Sequence, residues 1–201
     1  MKEYKKLLAT LGQLLKSEGF YKKGETFYIQ TEGNWGIINF QKSRDSTKVE
    51  SKFTINLGVW SKNVAASLDD VAYDKPEIEV CHWSKRVGFL LPQNRDFWWI
   101  VSETTPLDEK LIDELKDIVK TKAIPEIKNH ASDESLKNDW ISGHSEGITE
   151  FQRYSYLTAL LSIINDERLK RVVDEFLIYS KGKSIEFSAI EHLKQLNNYV
   201  K

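Results

Sequence analysis

Phe53-Thr54-Ile55-Asn56-Leu57-Gly58-Val59 carries an apolar side chain at every second position, with Thr54, Asn56 and Gly58 between them. Successive side chains of a strand point to opposite faces, so the segment reads as a strand with one buried face and one small, polar face. Trp60 continues the second face. Upstream, Phe27-Tyr28-Ile29 is short and β-prone, and Gly33-Asn34 marks a turn into a strand at residues 35–41. Downstream, residues 87–91 and 97–101 are apolar on both faces, as in strands covered on both sides. Pro92-Gln93-Asn94 between them reads as a tight connection and predicts that the two pair as a hairpin. Residues 61–86 read as a polar connection with a helical turn at 64–71.

On either side of this strand-rich region the period becomes helical. Tyr4, Leu7, Leu8, Leu11, Leu14 and Leu15 follow i, i+3, i+4 spacing, closed by Gly19 and Phe20. Thr105-Pro106-Leu107-Asp108 reads as a capping threonine, a first-turn proline and an acid at the third position. The stripe behind it runs from Leu107 to Val119, and Pro125 restarts or kinks the chain. Further helices are expected at 132–140, after Thr149, through Leu169–Leu177 to Gly182, and from Ile190 to about residue 199. The fold class is therefore α+β: an N-terminal helix, an antiparallel sheet of about five strands, then a helical C-terminal part. Residues 1–130 form the sheet domain, and 131–201 a helical extension docked on it in one compact unit.

The 201 residues are 40% hydrophobic and 29% charged, with a formal net charge of -1. That balance excludes a disordered, collagen-like or disulfide-dense chain and argues against nucleic acid as a partner. The single cysteine, Cys81, cannot form an intramolecular disulfide, which fits a reducing compartment. Lysines interrupt the N-terminal leucines, so no secretory signal is expected there, and no apolar run is long enough to span a membrane. The expectation is a cytoplasmic protein without a membrane partner.

Chemical motifs are sparse. The ten glycines show neither P-loop nor dinucleotide spacing. His144-Ser145-Glu146 has the first half of a zinc-deaminase pattern without its paired cysteines. Cys81 and His82 are sequence neighbours, which on extended chain point apart, so His82 is badly placed to activate the thiol. Asp69-Asp70 and Glu77/Glu79 lack the alternating ligands of a calcium loop. Lys42, Arg44, Lys48 and Lys52 form a mild basic stretch without an aromatic platform. No catalytic residue, metal or cofactor is expected. The tryptophans say more. Trp98-Trp99 on one strand puts an indole on each sheet face, and Trp60 faces away from the 53–59 stripe. Indoles on the second face are either covered by the C-terminal helices or free to meet a partner.

Several short motifs in order carry a resemblance. Gly19-Phe20, Phe27-Tyr28, Ile38-Asn39-Phe40-Gln41-Lys42-Ser43, the 53–59 heptad, Cys81-His82-Trp83, Arg86-Val87-Gly88 and Asp96-Phe97-Trp98-Trp99 follow one another. Over about residues 1–130 the chain resembles the bacterial domain-of-unknown-function 4304 family. The resemblance implies small bacterial cytoplasmic proteins and transfers no activity and no catalytic residue.

The same motif residues outline a candidate binding patch. Gln41, Ser43 and Asn56 are uncharged polar residues on or beside apolar strands, with His82, Arg86 and Asp96 near strand ends. Trp60, Trp83 and Trp98 flank them. Two functions compete. One is a non-enzymatic protein-binding module, an immunity-type protein that blocks a toxin being one version. The other is a small-molecule-binding protein or enzyme whose pocket on the sheet uses Gln41, Ser43, Asn56 and His82.

Overall fold

The computed structural model describes residues 2–68 and 73–199. Helix α1 (Lys2–Ser17) buries Tyr4, Leu7, Leu8, Leu11 and Leu15 along one face. It ends at Gly19, whose φ of 90° only glycine adopts without strain, and the Phe20 N–H returns to the Leu15 carbonyl at 2.9 Å. Strands β1 (Tyr21–Lys23), β2 (Thr26–Thr31), β3 (Asn34–Lys42) and β4 (Glu50–Trp60) then form an antiparallel meander. The β2–β3 loop is Glu32-Gly33, both at positive φ, which matches the twist of a two-residue hairpin.

The expected hairpin between 87–91 and 97–101 does not form. Residues Val87–Leu90 make a 3-10 turn, and the strands on either side are β5 (Trp83–Arg86) and β6 (Trp99–Ser102). Both pair antiparallel with β4, β5 against Asn56–Val59 and β6 against Glu50–Phe53, so they lie end to end along the same edge. β4 is 11 residues long, enough to accept two short partners in succession. The lobe between them closes on itself, because a side chain at Gly88 would come within 2.4 Å of the Arg95 carbonyl.

Register sorts the residues onto two faces. Phe53, Ile55, Leu57 and Val59 share one face with Phe27, Ile38, Phe40, Trp83, Trp99 and Val101. This face meets the helices in one continuous apolar cluster that runs from α1 to Leu136, Trp140, Leu157, Leu161 and Val172.

Helix α2 (Lys62–Ser67) covers the start of the expected 64–71 turn; residues 69–72, including Asp69-Asp70, lie outside those described. α3 (Glu109–Ile118) starts later than the sequence predicts, capped by Asp108 and not by Thr105. The Leu107 N–H is taken by the Glu3 carboxylate at 3.2 Å, and Ser102 Oγ accepts from the Thr104 and Thr105 N–H groups, so 105–107 stays outside the helix. Pro125 stands in the first turn of a new helix, as expected of a residue that restarts the chain. One wide π turn, Val119–Ala123, leads directly into α4 (Ile124–His130), and such a turn accommodates the proline's missing donor. α5 (Asp133–Ile141), α6 (Glu150–Ile163), α7 (Leu169–Ser180) and α8 (Glu186–Tyr199) complete the described residues. Thr149 and Gln152 form the capping box of α6.

Candidate functional site

The second sheet face divides in two. Tyr28, Trp35, Ile37 and Trp60 make an apolar half, covered by Ile78, Val80 and Cys81. Cover and sheet are in intimate contact at Gly58, where a side chain would meet Ile78 Cδ1 at 2.5 Å and Cys81 Sγ at 2.7 Å. The other half carries Thr26, Asn39, Gln41, Asn56, Ser84 and Arg86, and opens into a cleft of about 740 Å³.

Gln41 and Asn56 at its floor belong to a row of side-chain amides that runs across the strands and continues beyond the cleft to Asn39 and Thr26. Asn39 Nδ2 donates to Thr26 Oγ1 at 2.8 Å. Asn56 Nδ2 donates both to Asn39 Oδ1 at 3.3 Å and to Gln41 Oε1 at 2.9 Å. Asn56 is only 7% exposed, yet its Oδ1 accepts from no described residue. The buried side-chain polar atoms without a partner among the described residues are Trp83 Nε1 and Trp140 Nε1, so this oxygen is reached by solvent and is open to a donor on a ligand.

The walls come from distant parts of the chain: Ile78 and Glu79, Ser84 to Arg86, Phe89 and Asn94, and Glu146-Gly147. The loop at 146–147 rests on the outer edge of β5, where the Ser84 N–H donates to the Glu146 carbonyl. Lys85 lies between Glu126 Oε1 at 3.0 Å and Glu146 Oε1 at 3.2 Å. Burial opposes its charge, but Glu126 and then Glu146 outweigh this and raise its pKa. Arg86 is bonded to Asp96 and stacks over the Trp98 ring, 5.5 Å from its centroid. Trp98 in turn donates from Nε1 to Asp96 at 3.2 Å, with Lys52 over its ring.

Of the nine residues nominated from sequence, Gln41, Asn56, Arg86, Asp96 and Trp98 therefore form one connected band. Three of them, Gln41, Asn56 and Arg86, line the cleft. Trp60 and His82 lie elsewhere, stacked 6.1 Å apart beside a smaller cavity of about 210 Å³ with Tyr73, Gln152 and Tyr156. His82 Nδ1 accepts the Ser61 N–H at 2.8 Å, which leaves the ring proton on Nε2. Burial lowers its pKa to about 4, with Asp133 acting the other way. Trp83 is on the opposite, helix-covered face, stacked 4.2 Å from His130. Ser43 serves the β3–β4 turn, its Oγ accepting from the Asp45 N–H. Cys81 is buried, which pushes its thiol pKa up, and its Sγ reaches the Glu77 carbonyl at 3.6 Å.

Sequence reasoning missed Asn39, Glu79, Ser84, Phe89, Asn94 and Glu146. Asn39 and Ser84 were within reach, because each sits two residues before a nominated strand residue and hence on its face. The others come from connections whose position no local pattern encodes. Among the described residues no group of three or more His, Cys, Asp and Glu side chains is placed to hold a metal, and no helix is long and apolar enough to cross a membrane.

Comparison with curated proteins returns no match, and neither does comparison with solved structures. The residues that shape the sheet, the amide floor and the 87–98 lobe all lie within the stretch matched by one family model, residues 11–129, and the chain belongs to that family, the domain of unknown function DUF4304.

Proposed function

We propose that this protein is a binding module that holds a small polar ligand in the cleft on the open half of the sheet. The carrying observation is the cleft itself: about 740 Å³, floored by the amide row with its unused acceptor on buried Asn56. Ligand pockets span roughly 300–1,000 Å³ and combine apolar walls with a few convergent polar groups. Ile78, Leu57 and Phe89 supply the apolar part, and Gln41, Asn56, Ser84 and Asn94 the polar part. Binding is favoured over chemistry because the chain's cysteine and its most buried histidine stand outside the cleft. A protein partner has less support, since it rested on tryptophans free to reach one. Five of the six are at most 8% exposed, leaving only Trp98 partly open.

The test is a fragment screen by NMR on the intact, isotope-labelled protein, following the side-chain amide signals of Gln41 and Asn56. Fragments that shift these signals saturably should lose at least tenfold in affinity in Gln41→Ala and Phe89→Ala, both exposed positions whose replacement leaves the core untouched. A library whose members bind elsewhere and leave both amides unmoved overturns the proposal.

A further inference from the structure

The charges around the cleft are unequal in what they leave available. Lys85 is held by two carboxylates, Glu126 and Glu146, and Arg86 is held by Asp96 and the Trp98 ring. Glu79, on the cover, lines the cleft, is exposed, and forms no ion pair with any described residue. Lining charges and their ion-pair partners thus comprise four carboxylates against two cations, with both cations already engaged. An anion entering here meets Glu79 and Glu146, and finds Arg86 already paired through Nη1 with Asp96. A cation meets unneutralised carboxylate charge, and a donor on it finds the free Oδ1 of Asn56. The Phe89 ring, 47% exposed, lines the wall, and an aromatic ring attracts a cation placed over its face.

Resting on the cleft reading above, we infer that the ligand carries a positive charge, a guanidinium or ammonium group, on a compact hydrogen-bonding body. The charge faces Glu79 and Glu146, and the body's donors reach the amide floor. A bare metal ion is the wrong size for such a cavity, whose carboxylates do not converge. The same cationic group can arrive on a free amine or on an arginine side chain of a polypeptide.

Titration of the intact protein with agmatine and with the blocked peptide acetyl-Ala-Arg-Ala-amide tests this, read at the Gln41 and Asn56 amide signals. The peptides with citrulline and with glutamate in place of arginine are the neutral and anionic controls. The cationic probes should bind at least tenfold more tightly than citrulline peptide, and tighter binding of agmatine or of the arginine peptide identifies the source. Glu79→Lys should abolish the preference, and Glu79→Gln should reduce it about threefold, as expected for an exposed ion pair. Equal binding of arginine and citrulline peptides, or stronger binding of the glutamate peptide, overturns the inference while leaving the cleft reading intact. A cleft silent to these probes and to the fragment library overturns both.

Discussion

Glu103 shows how much one side chain can organise. Its carboxylate accepts from the N–H groups of Glu3 and Tyr4 at the start of α1, and from Ser51 Oγ on β4 at 2.7 Å. A negative charge at a helix N-terminus is favoured both by the orphan donors there and by the helix dipole. Burial works against the charge, but these bonds prevail and lower the pKa to about 2. A depressed carboxylate contributes stability above its unfolded pKa, near 4.5, and loses it as pH falls toward 2. Glu103→Gln should therefore cost about 1 kcal/mol at neutral pH through the lost charge at the helix end. The gap between variant and parent in urea unfolding should shrink below pH 4, and a gap that stays constant to pH 2 refutes this role for the charge.

At the scale of elements, β4 organises the fold. It pairs with β3 along one side and with β5 and β6 along the other, and its small face receives the 78–81 cover. Gly58 is the point where that cover touches the backbone, so Gly58→Ala forces Ile78 and Cys81 away from the sheet. Overpacking of this kind costs about 1–3 kcal/mol, and the expected result is a lower urea midpoint with increased exchange of amides in residues 78–81. A Gly58→Ala protein as stable as the parent means that the cover is not seated as described.

The strand character of β4, and the helices from α5 onward, were legible because period 2 and period 3.6 are local, and α5 and α6 also carry their own capping residues, Ser132 and Thr149. The β5–β6 arrangement was not. An apolar run such as 87–91 looks the same whether it is a strand covered on both faces or a buried 3-10 turn, and proximity in sequence favoured the hairpin. The site shows the same division. Gln41 and Asn56 stood out as polar residues on apolar strands, whereas Glu79 and Glu146 reach the cleft only through the tertiary path of two connections.

For the whole molecule, the question is whether sheet and C-terminal helices unfold together, as the continuous apolar cluster from α1 to Val172 argues they do. Two buried histidines report on the two parts. His82, 2% exposed, accepts from Ser61 at the end of β4; His192 on α8, 8% exposed, meets Thr158 of α6 at 2.9 Å. Burial lowers both pKa values from 6.5 to about 4, with the nearby Asp133 opposing it at His82 and a bond to the Ser155 backbone opposing it at His192. Between those values the unfolded chain binds protons that the folded chain does not. Stability is thus complete above pH 6.5 and falls as the pH drops toward 4, by at most about 1.4 kcal/mol per pH unit for each histidine. This window lies above the one in which Glu103 loses its charge. Urea unfolding followed by tryptophan fluorescence, which has no reporter on α7 or α8, and by helix-weighted circular dichroism should give one coincident transition with this pH dependence. His192→Gln, able to keep a bond to Thr158, should remove about half of the slope in both signals. If it flattens only the circular dichroism while fluorescence keeps the full slope, the C-terminal helices unfold on their own and the single cooperative unit is refuted.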